Sequence, residues 1–244
     1  MSRSLLLAAL LAGVAGPAAA QALSIDLGGE GSLSMRSVQL LLLVTVLSIA
    51  PGLAVMVTCF PFIVTVLSIL RQAIGLQQAP PNMLIVSLAM FLTWYVMDPV
   101  FTEAWVSGIE PLTSGRMEMG PALQAAILPF REFMSLRVDP ETFQILQDLR
   151  VTPGAAVAPV PPGEAPLSLL VPSFLLSEIQ RAFEIGFMIF LPFLIIDLVV
   201  AAILMSMGMM MVPPAVVSLP FKLIFFVVAD GWALVSGALV RSYF

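Results

Sequence analysis

Three groups of residues stand out by type and spacing. Glu178, Arg181 and Glu184 recur at intervals of three, which on a helix stacks alternating charges on one face. Asp197, Lys222 and Asp230 are single charges set in long apolar runs, where an acid costs about 2.5–3.5 kcal/mol to insert at bilayer depth. Met205 to Pro214 reads MSMGMMMVPP and places five of the fifteen methionines within seven residues. Histidine is absent and Cys59 is the only cysteine, so a zinc site or a Ser–His or Cys–His nucleophile has neither ligands nor base. The carboxylates are scattered, and no glycine-rich phosphate loop occurs; no enzyme activity, cofactor or metal is expected. Isolated acids in apolar segments leave two readings open. They are a proton relay, as in a secondary transporter working through Asp197 and Asp230, or they are buried ties between helices or subunits.

The composition says what must hold these residues. Of 244 residues, 60% are hydrophobic and 10% charged, far from a soluble domain and suited to a membrane, with lipid as one partner. Mean hydropathy is +1.06. The net charge of −5, without any basic run, gives no footprint for nucleic acid. Cys59 cannot form an internal disulfide, and its apolar neighbours predict a small buried hydrophobe.

Residues 1–22 carry Arg3, an apolar run from Leu5 to Val14, Gly16-Pro17 and then AAAQA, the layout of a cleavable signal peptide with cleavage after Ala20 or Ala22. A short exported segment, 23–37, follows. From Val38 to Leu70 there is no charge over thirty-three residues, about 50 Å of helix against a hydrocarbon core of about 30 Å. A break is therefore predicted, with Pro51-Gly52 and Pro61 as its sites. QQAPPN (Gln77 to Asn82) is a turn, and the arm from Met83 leaves the apolar layer around Asp98, Pro99 and Trp105, closing a first hairpin over 38–105.

Residues 106–171 read as an extramembrane insertion. Leu123, Ile127, Phe130 and Met134 follow helical spacing, and Asp139-Pro140-Glu141 predicts the start of a short helix running to Leu149. Residues 151–166, with five prolines and two glycines, predict a linker. The second hairpin, 172–244, repeats the first: a long apolar arm, the methionine loop at 205–214, and one arm climbing back. Gly208, Pro213 and Pro214 keep that loop out of helix. With the signal cleaved, Arg71 and the loop face the cytoplasm, while the insertion and C-terminus lie outside. The fold class is all-α and membrane-associated, two kinked helical hairpins with a small helical insertion.

VLSILRQAIGLQQAPPN (66–82), PFREFM (129–134), PSFLLSEIQRAFEIGF (172–187), PFLIIDLVVAAILMSMGMMMVPP (192–214) and LPFKLIFFVVADGW (219–232) together resemble the FliP family of flagellar biosynthetic proteins. CFPFIV (59–64) departs from the more polar segment that family has there, so no role resting on a charge at that place is carried over. The resemblance implies a core subunit of the type III protein export gate in the bacterial inner membrane, at the flagellar basal body. It implies partners: copies of itself in a pentameric ring, FliQ and FliR in the gate, FlhA and FlhB beside it, and unfolded flagellar subunits as cargo. It further implies that the hairpins build a helical, conical channel. Met209, Met210 and Met211 match the family's methionine loop and take the role of a gasket, since methionine is apolar, unbranched and repacks readily. Glu178, Arg181, Glu184, Asp197 and Lys222 are then contacts between subunits. An injectisome paralogue is the alternative within the same family.

Overall fold

The computed structural model describes residues 33–76, 80–150, 160–209 and 211–244. The expected signal peptide with Ala20 and Ala22, residues 77–79 of the expected turn, most of the expected linker and Met210 lie outside them. Among the described residues all regular structure is helical. The chain divides into two units after Val46. Of the first, the helix starting at Leu33 is described, and its Leu41 and Leu42 are exposed.

The second unit is built around α2 (Phe60–Ile74), which follows α1 (Leu33–Met56). Phe62, Ile63, Val66, Leu67, Leu70, Ala73 and Ile74 recur at three- and four-residue spacing and are all fully or almost fully buried. The break between α1 and α2 falls at Val57-Thr58-Cys59 rather than at Pro51, which stays inside α1. Pro61 sits in the first turn of α2, where a missing N–H costs nothing because that donor has no intrahelical partner. Cys59 is buried and free. α3 (Asn82–Ala104) returns antiparallel to α2: Arg71 donates to Asn82 near one end, and Cys59 lies 4.0 Å from the Thr93 carbonyl toward the other.

α3 passes through Asp98-Pro99 to Ala104, next to Trp105, where the sequence reading bounded the first hairpin. It runs on through a π turn (Trp105–Ile109) into a short helix, α4 (Glu110–Thr113), so that 82–113 forms one helical run long and apolar enough to cross a membrane. The π turn is where α5 (Met119–Arg137) packs, with the Ser107 hydroxyl donating to the Ala125 carbonyl at 3.3 Å. α6 (Pro140–Leu149) has Asp139 as its N-cap, whose carboxylate accepts from the Thr142 amide at 2.8 Å. Met134, Val138, Phe143, Leu170 and Phe174 give the insertion its own small core.

α7 (Leu167–Ser206) has 40 residues, about 60 Å, so it overshoots any hydrocarbon layer by roughly half its length. Its first half, which holds Glu178, Arg181 and Glu184, carries the insertion, and the helix as a whole is long and apolar enough to be a candidate span. It lies against α2 closely enough that a Cβ at Gly186 would sit 2.4 Å from Ile69 Cδ1. The final arm, expected as a single helix, is broken into α8 (Pro214–Val228) and α9 (Gly231–Arg241), bent by 60°. Asp230 makes that break in a left-handed conformation, φ +47°, which Asp tolerates better than most side chains.

A methyl group at Gly108 would lie 2.6 Å from the Ala122 carbonyl and 2.7 Å from the Ala126 nitrogen, backbone atoms that cannot swing aside. Gly108→Ala is therefore expected to push α5 off the π turn and destabilise the chain by about 1–3 kcal/mol. Thermal unfolding in detergent checks this, with Gly120→Ala, in open space, as the neutral control.

Candidate functional site

The methionine loop begins at a hydrogen-bonded helix end. At the end of α7 the Gly208 amide donates to the Met205 carbonyl at 3.1 Å and the Met209 amide to the Leu204 carbonyl at 2.9 Å. This is the paired closure of a Schellman motif, and it needs the positive φ of Gly208, +74°. Pro213 is the N-cap of α8 and Pro214 its first residue, so the prolines start the next helix as the glycine stops the last. Of the two described gasket residues, Met209 is 42% exposed and Met211 98%, and Met205 and Met207 are exposed too. The fixed backbone thus presents soft side chains away from their own chain.

Behind the loop sits a polar node. Lys222 Nζ donates to Asp197 Oδ2 at 2.6 Å and to the Ala73 carbonyl at 3.2 Å, while the buried Ser218 hydroxyl donates to Asp197 Oδ1 at 2.6 Å. Ala73 lies in the last turn of α2, where carbonyls lack intrahelical partners and the helix dipole is negative, so a buried ammonium both satisfies an acceptor and meets a favourable field. One lysine ties α2, α7 and α8 together.

A second knot lies about 28 Å along α7 from Asp197, at roughly 1.5 Å per residue. Glu178 is fully buried. Arg137 Nε donates to its Oε1 at 3.0 Å, Arg181 Nη1 approaches the same oxygen at 3.5 Å, and the Tyr243 hydroxyl donates to Oε2. Arg137 also donates to the Ser242 carbonyl at 2.8 Å and lies 4.0 Å over the Tyr243 ring. Burial, and next the charge of Glu178, push the Tyr243 phenol far above its ordinary value, so it stays a donor. Beside the knot the Asp139 amide donates to Ser177 Oγ at 2.9 Å. The Thr142 amide, donating to the Asp139 carboxylate, holds that carboxyl below the usual aspartate range.

Four of the five charges expected as subunit contacts are therefore partnered within one chain: Glu178 with Arg137 and Arg181, and Asp197 with Lys222. Glu184 is exposed and accepts from Gln180 at 3.2 Å. Asp230 is exposed at the α8–α9 break. Among the described residues no cluster of His, Cys, Asp or Glu could hold a metal ion.

A sequence model of the FliP family matches residues 43–239, from α1 into α9 and across both nodes and the loop. The chain belongs to the FliP family. It is 52% identical over 230 residues to the flagellar biosynthetic protein FliP of Caulobacter vibrioides, covering 93% of this chain and 85% of the relative. It is 45% identical to that of Agrobacterium fabrum over the full length of both. With that of Bacillus subtilis it shares 44% over 207 residues, 85% of this chain and 92% of the relative. The FliP-family match stops four residues short of Tyr243, which with Arg137 and Ser218 escaped the reading of the sequence. Their partners lie 65, 41 and 21 residues away, beyond what helical spacing connects.

Two outcomes follow from this geometry. Lys222→Met strands Asp197 and the Ala73 carbonyl and is expected to cost roughly 3 kcal/mol, whereas adding Asp197→Asn, which still accepts from Ser218, recovers most of it. Protease resistance in detergent reads both, and equal loss in single and double variants removes the pairing as the cause. Because the Asp139 carboxyl is depressed in the folded chain, the cap on α6 is fully present above the unfolded value near 4 and is lost as pH falls through the lower folded value. Hydrogen exchange across 140–149 should accelerate in acid relative to intrinsic rates, and Asp139→Asn should flatten that dependence.

Proposed function

We propose that this chain is a structural subunit of the flagellar type III protein export gate in the bacterial inner membrane, and that its methionine loop is one segment of a seal around the exported polypeptide. Family membership over 43–239 supports the gate, and the names of the relatives support the flagellum. The observation that carries the seal is the outward presentation of Met209 and Met211 on a loop whose backbone is closed by hydrogen bonds.

A pore for unfolded chains must admit side chains of every shape and still exclude ions between them. Apolar rims do this by losing their water, and methionine, with three rotatable bonds and a polarizable sulfur, follows an irregular surface at low cost. One chain offers one such loop, so closure requires several copies around an axis, with FliQ and FliR completing the ring and FlhA and FlhB adjoining it. The exposed apolar residues on α7, Phe187, Met188, Ile195 and Leu198 among them, and the exposed Glu184 are surfaces for those neighbours or for lipid. Arg181, about a third exposed, can turn from Glu178 toward a neighbouring copy, whereas Glu178, Asp197 and Lys222 shape the subunit that docks.

Deleting Met209 to Met211 tests the seal. Export of flagellar subunits that continues while the membrane leaks ions is the expected result; unchanged ion permeability with intact assembly would leave the methionines as packing and defeat the proposal.

A further inference from the structure

Ser242 and Tyr243, which follow α9, are tied into the fold by ring contacts and hydrogen bonds. The Tyr243 ring stands edge-on to Phe62 at 5.6 Å and stacks on Phe133 at 6.0 Å, from α2 and α5 respectively. Its hydroxyl reaches Glu178 on α7, and the preceding carbonyl, of Ser242, takes the Arg137 guanidinium at 2.8 Å. Three helices distant in sequence thus meet on two residues that follow α9.

Without those residues the knot is short of partners. Arg137 Nη2 is already buried without a hydrogen bond, and loss of Ser242 and Tyr243 would strip Nη1 of its acceptor and the guanidinium of its ring face. Glu178, fully buried, would keep the Arg137 Nε contact and the longer Arg181 contact but lose its bond at Oε2. A buried ion pair of incomplete hydrogen bonding is a poor tie, because desolvation of both charges is no longer offset. Phe133 and Phe62 would also lose the ring between them.

We propose that Ser242-Tyr243 is a C-terminal latch, which closes on Arg137 and Glu178 only after the α8–α9 arm has crossed back, and which locks α5 of the insertion onto α7. Arg137 and Glu178 are synthesised well before their closing partners, 105 and 65 residues ahead of Ser242 and Tyr243 respectively. The polar tie between α5 and α7 therefore stays incomplete until the complete second hairpin is in place. The latch also sets topology: the insertion and the C-terminus occupy the same side of the membrane, whatever happens at the N-terminus.

Trypsin provides the readout in a background of Arg241→Gln, which removes the exposed cleavage site directly ahead of the latch, since Arg137 and Lys222 are both largely buried sites, one inside the latch and one remote from it. The full-length protein in detergent is compared with a chain ending at position 241 and with Tyr243→Ala, Tyr243→Phe and Phe244→Ala. Cleavage after Arg137 is expected to rise at least about tenfold in the truncated chain and in Tyr243→Ala, and less in Tyr243→Phe, which keeps the ring. Cleavage after Lys222 should hold its wild-type rate throughout, and Phe244→Ala should behave as wild type. If the truncated chain fails to accumulate, Tyr243→Ala decides in its place. Wild-type cleavage after Arg137 in Tyr243→Ala, or an equal rise at Lys222, overturns the latch; the latter would make the C-terminus a part of global stability.

Discussion

The half of this protein that carries the insertion depends on one carboxylate with no access to water. A buried charge is tolerated only when paired and hydrogen-bonded, and Glu178 meets that condition through donors that its own helix cannot supply alone. Arg181, one turn along α7, makes the longer contact at 3.5 Å; Arg137 on α5 and Tyr243 beyond α9 bring the others. Satisfying one side chain thus requires the insertion, the long helix and the C-terminus to occupy fixed positions together. The aromatic rings packed around the knot, Phe62, Phe133 and Phe174, exclude water and so raise the cost of any missing partner.

The half that carries the methionine loop repeats this logic with the charges exchanged. There Lys222 is the buried ion, and Asp197, still about a third exposed, is the partner that reaches water. Between the two ties α7 meets α2 through apolar contact, with Gly186 letting the helices approach. One rigid rod pinned at two levels holds its far end at a defined place, and that end is the methionine loop. The loop itself has no charged anchor among its described residues; it is positioned from behind by the node and from within by its own backbone closure.

Much of this was legible in the sequence, and what was not failed for a consistent reason. Helical spacing located α5, the Asp-Pro-Glu triplet located α6, and the glycine and prolines bounded the loop. These are signals within one or two turns of chain. Arg137 gave no such signal, because its partner lies on another element and its own neighbours are unremarkable. Arg181, at the expected interval of three from Glu178, is the weaker of the two arginine contacts. Asp197 and Lys222 were both noticed as anomalous, but residues 25 apart across a turn could as readily belong to two subunits as to one. Of the two prolines taken as break markers, Pro61 lies just past the break and Pro51 stays inside α1, while Asp230 ends a helix with no proline at hand. Long helices with tertiary support absorb the loss of one backbone hydrogen bond, and a left-handed aspartate before a glycine is a quieter stop.

The division between a stiff backbone and compliant side chains bears on how a proposed seal could yield without tearing. Were the loop slack, an entering polypeptide would displace whole segments, and resealing would need the backbone to refold. With Gly208 and Met209 bonded back to the helix, their Cα positions are held, and the seal proposed above would yield there by rotation about methionine side-chain bonds. Leucine or isoleucine would be equally apolar but branched, with fewer shapes available at a fixed Cα position. A rim of this kind closes again on the timescale of rotamer exchange, far faster than chain refolding. The hydrogen bonds of the loop and the softness of its side chains are therefore two parts of one requirement, and neither would serve a gate without the other.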